Sequence, residues 1–262
     1  MTNHWDPDLE LARRLANAAD AISMSYYRSH DLVIETKPDL TPVTEADKAV
    51  EQGLREILAA ERPGDGILGE EFGVSGSTER TWILDPIDGT KNYLRGVPVW
   101  STLIALRVAG VLEVGFVSAP ALGRRWWAAT GQGAWSTDPG MSEPTRIQVS
   151  KVAKLSDASF SFSDSVGWSA RGAAQGLETL TTDTWRHRAY GDFWSHMLVA
   201  EGAVDIAGEP ELATYDMAAL IPVIREAGGM ATGFDGTDAI EYGGLITTNG
   251  ALHAEVLSAL RT

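Results

Sequence analysis

Apolar positions change their spacing along the chain, and the spacing predicts the elements. From Asp8 to Tyr27, residues Leu9, Leu11, Leu15, Ala18, Ala19 and Ile22 leave one broad apolar face, which predicts a helix. Two prolines break the stretch from Lys37 to Pro42. A second helix starts at Thr44, where Asp47 three residues on gives a capping-box pattern with Asp in place of the usual Glu. Ala46, Val50, Leu54, Ile57 and Leu58 carry its buried face, and Arg62-Pro63-Gly64 ends it. Short strands follow at Gly66 to Gly69 and Thr81 to Leu84. Val99 to Val108 and Val111 to Ser118 form a hairpin around Ala109-Gly110. Arg125 to Ala129 is a further strand, and Gly131-Gln132-Gly133 turns the chain back.

The stretch from Thr137 to Thr145 is rich in Asp, Pro, Gly and Ser. It marks a subdomain boundary between residues 1–143 and 144–262, with the active site between the two parts. Beyond it, Ser159 to Ser163 reads as a strand, and Gly172 to Leu180 and Asp192 to Gly202 as helices. Tyr215 to Ala227 is a helix closed by Gly228-Gly229, with Pro222 bending it or costing it a hydrogen bond. Leu245 to Thr248 is a strand and Ala251 to Leu260 a last helix. Helix-linked and hairpin-linked strands together point to a mixed α and β sandwich.

Composition narrows the function. The chain has 262 residues, 44% hydrophobic and 22% charged, as in a globular protein of one large or two small domains. With 21 Lys+Arg and 36 Asp+Glu the formal net charge is −15. That disfavours nucleic acid and anionic membrane as partners, and leaves divalent cations and cationic small molecules open. There is no cysteine, so thiolate zinc sites, disulfides and a Cys nucleophile are excluded, which fits the cytoplasm. The apolar stretch Val97 to Pro120 is interrupted by Arg107 and Glu113 and does not read as a membrane span, and Met1 to Glu10 lacks the apolar core of a signal peptide.

The chemistry gathers in acidic residues at the ends of apolar segments. Asp85-Pro86-Ile87-Asp88-Gly89-Thr90 follows Trp82-Ile83-Leu84, so a buried strand delivers two carboxylates to its end. Like charges brought together need protons or metals, and Mg²⁺ takes oxygen ligands. Gly69-Glu70-Glu71-Phe72-Gly73 follows Ile67-Leu68. Asp216 lies in the first turn of its helix, and Asp47 at the third position of its own. Taken singly, each has a structural alternative: Asp85 and Asp88 as turn caps, Glu70-Glu71 as a solvated turn, Asp216 and Asp47 as helix N-terminal acids. Together they suit a multi-metal site for phosphoryl transfer, with Thr90 as a hydroxyl near Glu70 that orients or deprotonates a water.

Gly69-Glu70-Glu71 with Trp82-Ile83-Leu84-Asp85-Pro86-Ile87-Asp88-Gly89-Thr90-Lys91-Asn92-Tyr93 resembles the first signature of the inositol monophosphatase family. Tyr215-Asp216-Met217-Ala218-Ala219, running to Gly228-Gly229, resembles the second, with Tyr215 where Trp is usual. Lys37 through Val43-Thr44-Glu45-Ala46-Asp47 is similar to the family's N-terminal lysine–aspartate segment. The resemblance covers essentially the whole chain. It implies Mg²⁺-dependent hydrolysis of small phosphate monoesters, a layered α-β-α-β-α sandwich and a homodimer. Two or three ions are implied per site. Carried over by position, Glu70, Asp85, Asp88, Asp216 and the Ile87 carbonyl are metal ligands, and Asp47 holds a third ion through water. Glu70 and Thr90 activate the nucleophile, and the amides of Gly89 and Thr90 receive phosphate oxygens.

Arg188-Ala189-Tyr190-Gly191-Asp192-Phe193, Thr214-Tyr215-Asp216 and Leu220-Ile221-Pro222-Val223-Ile224 are similar to the histidinol-phosphate phosphatases of that family, and Asn92 to Trp100 to their actinobacterial members. The resemblance implies histidinol phosphate as substrate, in histidine biosynthesis. An acid at 192 suits a cationic leaving alcohol. Gly191, Asp192 and Glu209 then join Asp88, Gly89, Thr90 and Asp216 as substrate-binding residues, with Asp192 and Glu209 meeting the ammonium and imidazole. Asp192 as a helix N-cap is the structural alternative. Inositol phosphate, a sugar bisphosphate or a nucleotide 3′-phosphate remain alternative substrates, and a non-catalytic metal-binding scaffold is the alternative of another class. Trp194 either lines the pocket or packs. Arg124-Arg125 and Arg186-His187-Arg188 are read as solvated or dimer-interface pairs.

Overall fold

The computed structural model describes residues 4–29, 34–36 and 42–261. Lys37 and most of the Lys37 to Pro42 loop lie outside the described residues.

In chain order, α1 (Asp6–Tyr26) leads to the two-stranded ribbon β1 (Ile34–Thr36) and β2 (Pro42–Thr44), then α2 (Glu45–Glu61). Next come β3 (Gly66–Gly69), β4 (Gly73–Ser75), β5 (Arg80–Asp88), α3 (Thr90–Leu94), β6 (Ser101–Val108), β7 (Val111–Ala119), β8 (Arg124–Ala129), β9 (Ala134–Thr137) and β10 (Thr145–Ile147). The second half holds β11 (Ser159–Ser161), α4 (Ala174–Asp183), β12 (Arg186–Arg188), α5 (Asp192–Ala200), β13 (Ile206–Glu209) and α6 (Thr214–Ala218). It closes with α7 (Leu220–Glu226), β14 (Met230–Thr232), α8 (Ala239–Tyr242), β15 (Leu245–Thr248) and α9 (His253–Leu260).

An eight-stranded sheet runs β10-β9-β8-β7-β6-β5-β3-β4 and a five-stranded sheet runs β12-β11-β13-β15-β14. Period-2 alternation divides the first sheet's side chains between two cores. Trp82, Leu84, Ile104, Leu106, Val114 and Phe116 pack with Leu11, Leu15, Val50 and Leu54 of α1 and α2. Their neighbours Ile83, Leu103, Ala105, Val117 and Trp126 point the other way, onto Phe193, Met197, Val223 and Ile224 of α5 and α7. The second sheet repeats the device. Ala207, Leu245 and Ala231 join that inner core. Phe160, Ile206 and Ile246 face out to Leu180, Val256 and Leu260 of α4 and α9. Helices therefore lie outside, between and outside the two sheets, which is the five-layered α-β-α-β-α sandwich expected from the resemblance.

Three local differences from the sequence reading have physical reasons. The strand expected to stop at Leu84 continues to Asp88, because Pro86 falls in a bulge. Asp85 pairs with Leu103 and Asp88 with Ser101, so Pro86 and Ile87 of β5 oppose the single residue Thr102 of β6, and Pro86 owes the ladder no N–H. The helix expected over Tyr215 to Ala227 is divided at Ala219, since Pro222 has no N–H to give the Ala218 carbonyl four residues back. The short strands β12 and β13 lack a period-2 signal long enough to predict. They form only because β11 and β15 present partners.

Candidate active site

β5 is buried for most of its length, so Asp85 at its bulge is only 1% exposed. Asp88, one irregular turn later, opens towards the gap between the sheets. Asp216 arrives from α6, where its Oδ2 accepts from the Ala213 amide at 2.7 Å and so also caps that helix. Carboxylate oxygens of Asp85, Asp88 and Asp216 lie within 4.8 Å of one another. Asp88 Oδ2 accepts from the Phe193 amide at 3.0 Å, which ties the cluster to the start of α5. Asp85 Oδ1 is buried and has no hydrogen-bond partner among the described residues.

Burial pushes the Asp85 carboxyl well above its ordinary range, and the charges of Glu70, Asp88 and Asp216 push it further. Asp88 is raised in the same way, by burial and then by Asp192 and Asp216. Such a cluster is stable only with protons or cations to neutralise it. Its donors are all oxygen and one buried oxygen is orphaned, so the residues present fit a hard divalent cation.

Glu70 lines the same pocket from the end of β3. A residue the sequence reading missed sets its turn. Glu51 of α2 is fully buried and accepts from the amides of Glu71 at 2.6 Å and Phe72 at 3.2 Å, and from Arg55 Nε at 2.7 Å. Gly69 is required there, because a Cβ would sit 1.9 Å from Glu51 Oε1. Glu51 stands four residues after Asp47 on the α2 face that also carries Val50, Leu54 and Leu58, and an acid on that apolar stripe is the signal the sequence holds.

The capping box at Thr44 forms as expected, with Asp47 Oδ2 accepting from the Thr44 amide at 2.8 Å and its hydroxyl at 2.6 Å. Asp47 lies outside the three-carboxylate cluster. Burial raises its pKa to about 6, and the charge of Glu70 adds to that. Thr90 donates to the Ile87 carbonyl at 3.1 Å and lines the pocket with Glu70, while Gly89 before it takes a left-handed φ of 83° as the N-cap of α3.

The second half of the chain supplies the facing wall. Gly191 has φ 92° and Asp192, unusually for a residue with a side chain, φ 48°. Gly191 is the N-cap of α5, so Asp192 is the first helical residue rather than the cap. The Asp192 carboxylate accepts from Asn92 Nδ2 at 2.7 Å, and the same amide nitrogen donates to the Val99 carbonyl at 2.9 Å. Ser163 links Asp192 to Glu209: its hydroxyl donates to Glu209 Oε1 at 2.6 Å and accepts from the Asp192 amide at 3.0 Å. Burial lifts Asp192 to about 6 and Glu209 to about 8.

The resulting cavity is about 700 Å³, with Glu70, Asp88, Thr90, Asp192 and Asp216 on its walls. Asn92, Ser163, Asp164 and Glu211 also line it, and the sequence reading had assigned them no role at the site. Glu209 lies deeper, on a smaller adjoining chamber. Trp194 is partly buried against the inner core beside Tyr190. The first basic run is not merely solvated: Arg124 pairs with Asp138 and Glu201, and Arg125 with Asp20, inside this chain. A second, more apolar hollow by Phe116 and Trp127 lies among those pairs and holds none of the acid cluster.

The family model for the inositol monophosphatase family matches residues 4–262. Histidinol-phosphatase of Mycobacterium tuberculosis is 56% identical over 254 residues, covering 97% of each chain. Histidinol-phosphatase of Streptomyces coelicolor is 53% identical over 257 residues, covering 97% of this chain and 96% of that one. Among solved structures, an inositol monophosphatase from Zymomonas mobilis superposes with a TM-score of 0.87 at 29% identity, over 100% of both chains.

Proposed function

This chain belongs to the inositol monophosphatase family, and from that premise we propose that it is a Mg²⁺-dependent phosphatase that hydrolyses histidinol phosphate to histidinol and phosphate. The observation that carries the substrate is the position of Asp192. Its carboxylate lies on the wall of the cavity that holds the acid cluster, fixed by Asn92 and backed by Glu209 through Ser163. A phosphorylated amino alcohol with its phosphate at the cluster would place its ammonium and imidazole among these acids. A neutral polyol offers them no charge to meet. The relatives from M. tuberculosis and S. coelicolor, named for this activity, support the same substrate.

Asp85, Asp88 and Asp216 would hold the cations, with Glu70 and the Ile87 carbonyl completing the ligand set and Asp47 behind Glu70. Bound there, the cations would neutralise the phosphate and lower the pKa of a water. The chain's own groups do the rest. Glu70, with Thr90, receives the proton of the attacking water. Thr90 Oγ1 already donates to Ile87, which leaves its oxygen lone pairs free to accept. The amides of Gly89 and Thr90 take phosphate oxygens as negative charge builds on them. Asp192 and Glu209 orient the leaving alcohol. As a homodimer in the cytoplasm, the enzyme should elute at about twice the 28.1 kDa of one chain.

The test is phosphate release from histidinol phosphate, inositol 1-phosphate, fructose 1,6-bisphosphate and 3′-phosphoadenosine 5′-phosphate, with Mg²⁺ and with EDTA. A preference for histidinol phosphate of about a hundredfold in kcat/KM, roughly 2.7 kcal/mol, is expected, with no turnover in EDTA. A flat profile would remove the substrate, and turnover in EDTA would remove the cations.

A further inference from the structure

Glu70 sits at the tip of the hairpin between β3 and β4, where Glu70, Glu71 and Phe72 join Gly69 to its ladder partner Gly73. With a glycine at each end the turn has little stiffness of its own, so its shape is set by what its polar groups meet. The Glu70 amide donates to the Leu84 carbonyl of β5 at 3.2 Å. The next two amides go to Glu51 of α2. The far side of the turn is held by Arg55, one helical turn beyond Glu51. Its side chain is only 15% exposed and meets three acceptors. Nε donates to Glu51 Oε1 at 2.7 Å, Nη1 to Ser75 Oγ at 3.0 Å and Nη2 to the Gly73 carbonyl. The Phe72 ring lies over the guanidinium, with its centroid 5.9 Å from Cζ. That contact accounts for an aromatic side chain left 49% exposed.

We propose that Arg55 is a positioning residue for Glu70: with Glu51 it clasps the turn from both sides and fixes the direction in which the Glu70 carboxylate enters the cavity. The inference rests on the reading of Glu70 as the group that receives the proton of the attacking water. It extends that reading to a residue outside the cavity, since neither Arg55 nor Glu51 is among the described residues that line it. The guanidinium does two things at once. Its charge compensates Glu51, a carboxylate too costly to bury ionised and alone. Its flat fork also aims N–H groups at Glu51, Ser75 and Gly73 in fixed directions, which an ammonium on a flexible stem does not. Without the fork the turn is held from one side only. A proton acceptor displaced by about an ångström loses a large part of its effect.

Two substitutions separate charge from geometry. Arg55→Lys keeps the charge and loses the fork, and Arg55→Ala loses both. In metal-free protein, hydrogen exchange at the Glu71 and Phe72 amides should quicken about tenfold in the lysine variant and further in the alanine variant. With Mg²⁺ and histidinol phosphate, kcat should fall about tenfold in the lysine variant while KM stays within about twofold, because the walls that hold the substrate are untouched. Millimolar methylguanidinium should restore both readouts in Arg55→Ala and leave wild type unchanged. A residue that only stabilised the fold would lower the melting temperature and leave the kcat of the folded enzyme alone. If wild type releases phosphate from no monoester, the proposed function falls and takes this role with it. If wild type is active, then faster exchange with wild-type kcat in the lysine variant, or unchanged exchange in both variants, overturns the inference.

Discussion

Replacing Asp192 by Asn isolates its charge with little change of shape. The native residue has φ 48°, a conformation Asn tolerates better than most side chains, so the backbone should stay in place. Asn92 Nδ2 lies 2.7 Å from Asp192 Oδ2. In the variant the amide oxygen keeps that bond, and the NH₂ turns into the cavity towards a cationic substrate. Two unit charges about 4 Å apart attract by ~4 kcal/mol at an effective dielectric constant near 20. Stripping water from both groups takes back much of that, and net values for hydrogen bonds to charged groups are about 1.5–3 kcal/mol. A loss of ~2 kcal/mol corresponds to about thirtyfold. The ratio of kcat/KM for histidinol phosphate over glycerol phosphate should fall by that factor, with metal-free stability in urea no lower than wild type, since the charge that repels Asp88 is gone. An unchanged ratio, or equal losses on both esters, would refute charge recognition at 192.

Other perturbations test other links. Asp85→Asn should abolish turnover yet raise the melting temperature of the EDTA-treated protein by about 2–4 °C, since it relieves repulsion among acids within 4.8 Å and ~1 kcal/mol moves Tm by that much; a lower Tm would mean that Asp85 is bound structurally. Gly69→Ala should cost about 3 kcal/mol in urea unfolding and more than tenfold in kcat, because a Cβ 1.9 Å from Glu51 Oε1 drives that buried acid from the amides that shape the Glu70 turn; wild-type kcat would remove Glu51 from the account. His196 has a folded pKa near 3 against 6.5 unfolded. Its contribution is therefore present above pH 6.5 and lost as pH falls towards 3, by ~1.4 kcal/mol per unit. His196→Gln lacks that slope, so guanidinium unfolding between pH 7 and pH 4.5 should show the variant gaining on wild type; parallel curves would mean the imidazole is charged in the fold.

The sequence by itself determined the elements with long periodic patterns and the acids that follow them. The face of α2 and its Thr44–Asp47 cap were legible because helical contacts are local, and so was the Ala109-Gly110 hairpin. Asp85, Asp88 and Glu70 stood out because each directly follows an apolar run. What carries selectivity was decided by the tertiary structure. Asn92 reaches Asp192 across a hundred residues, Ser163 reaches Glu209 across 46, and Glu51 shapes a turn twenty residues away. No spacing rule spans such distances. The short strands β12 and β13 are set by the partners that offer them hydrogen bonds, and β13 brings Glu209 to the chamber. His196 shows the limit most plainly. On the sequence it is one polar residue in an apolar helix, where a satisfied core histidine is the ordinary expectation. Only the packing of α5 against the second sheet pairs one of its nitrogens with Thr247 and leaves the other buried without a hydrogen-bond partner among the described residues.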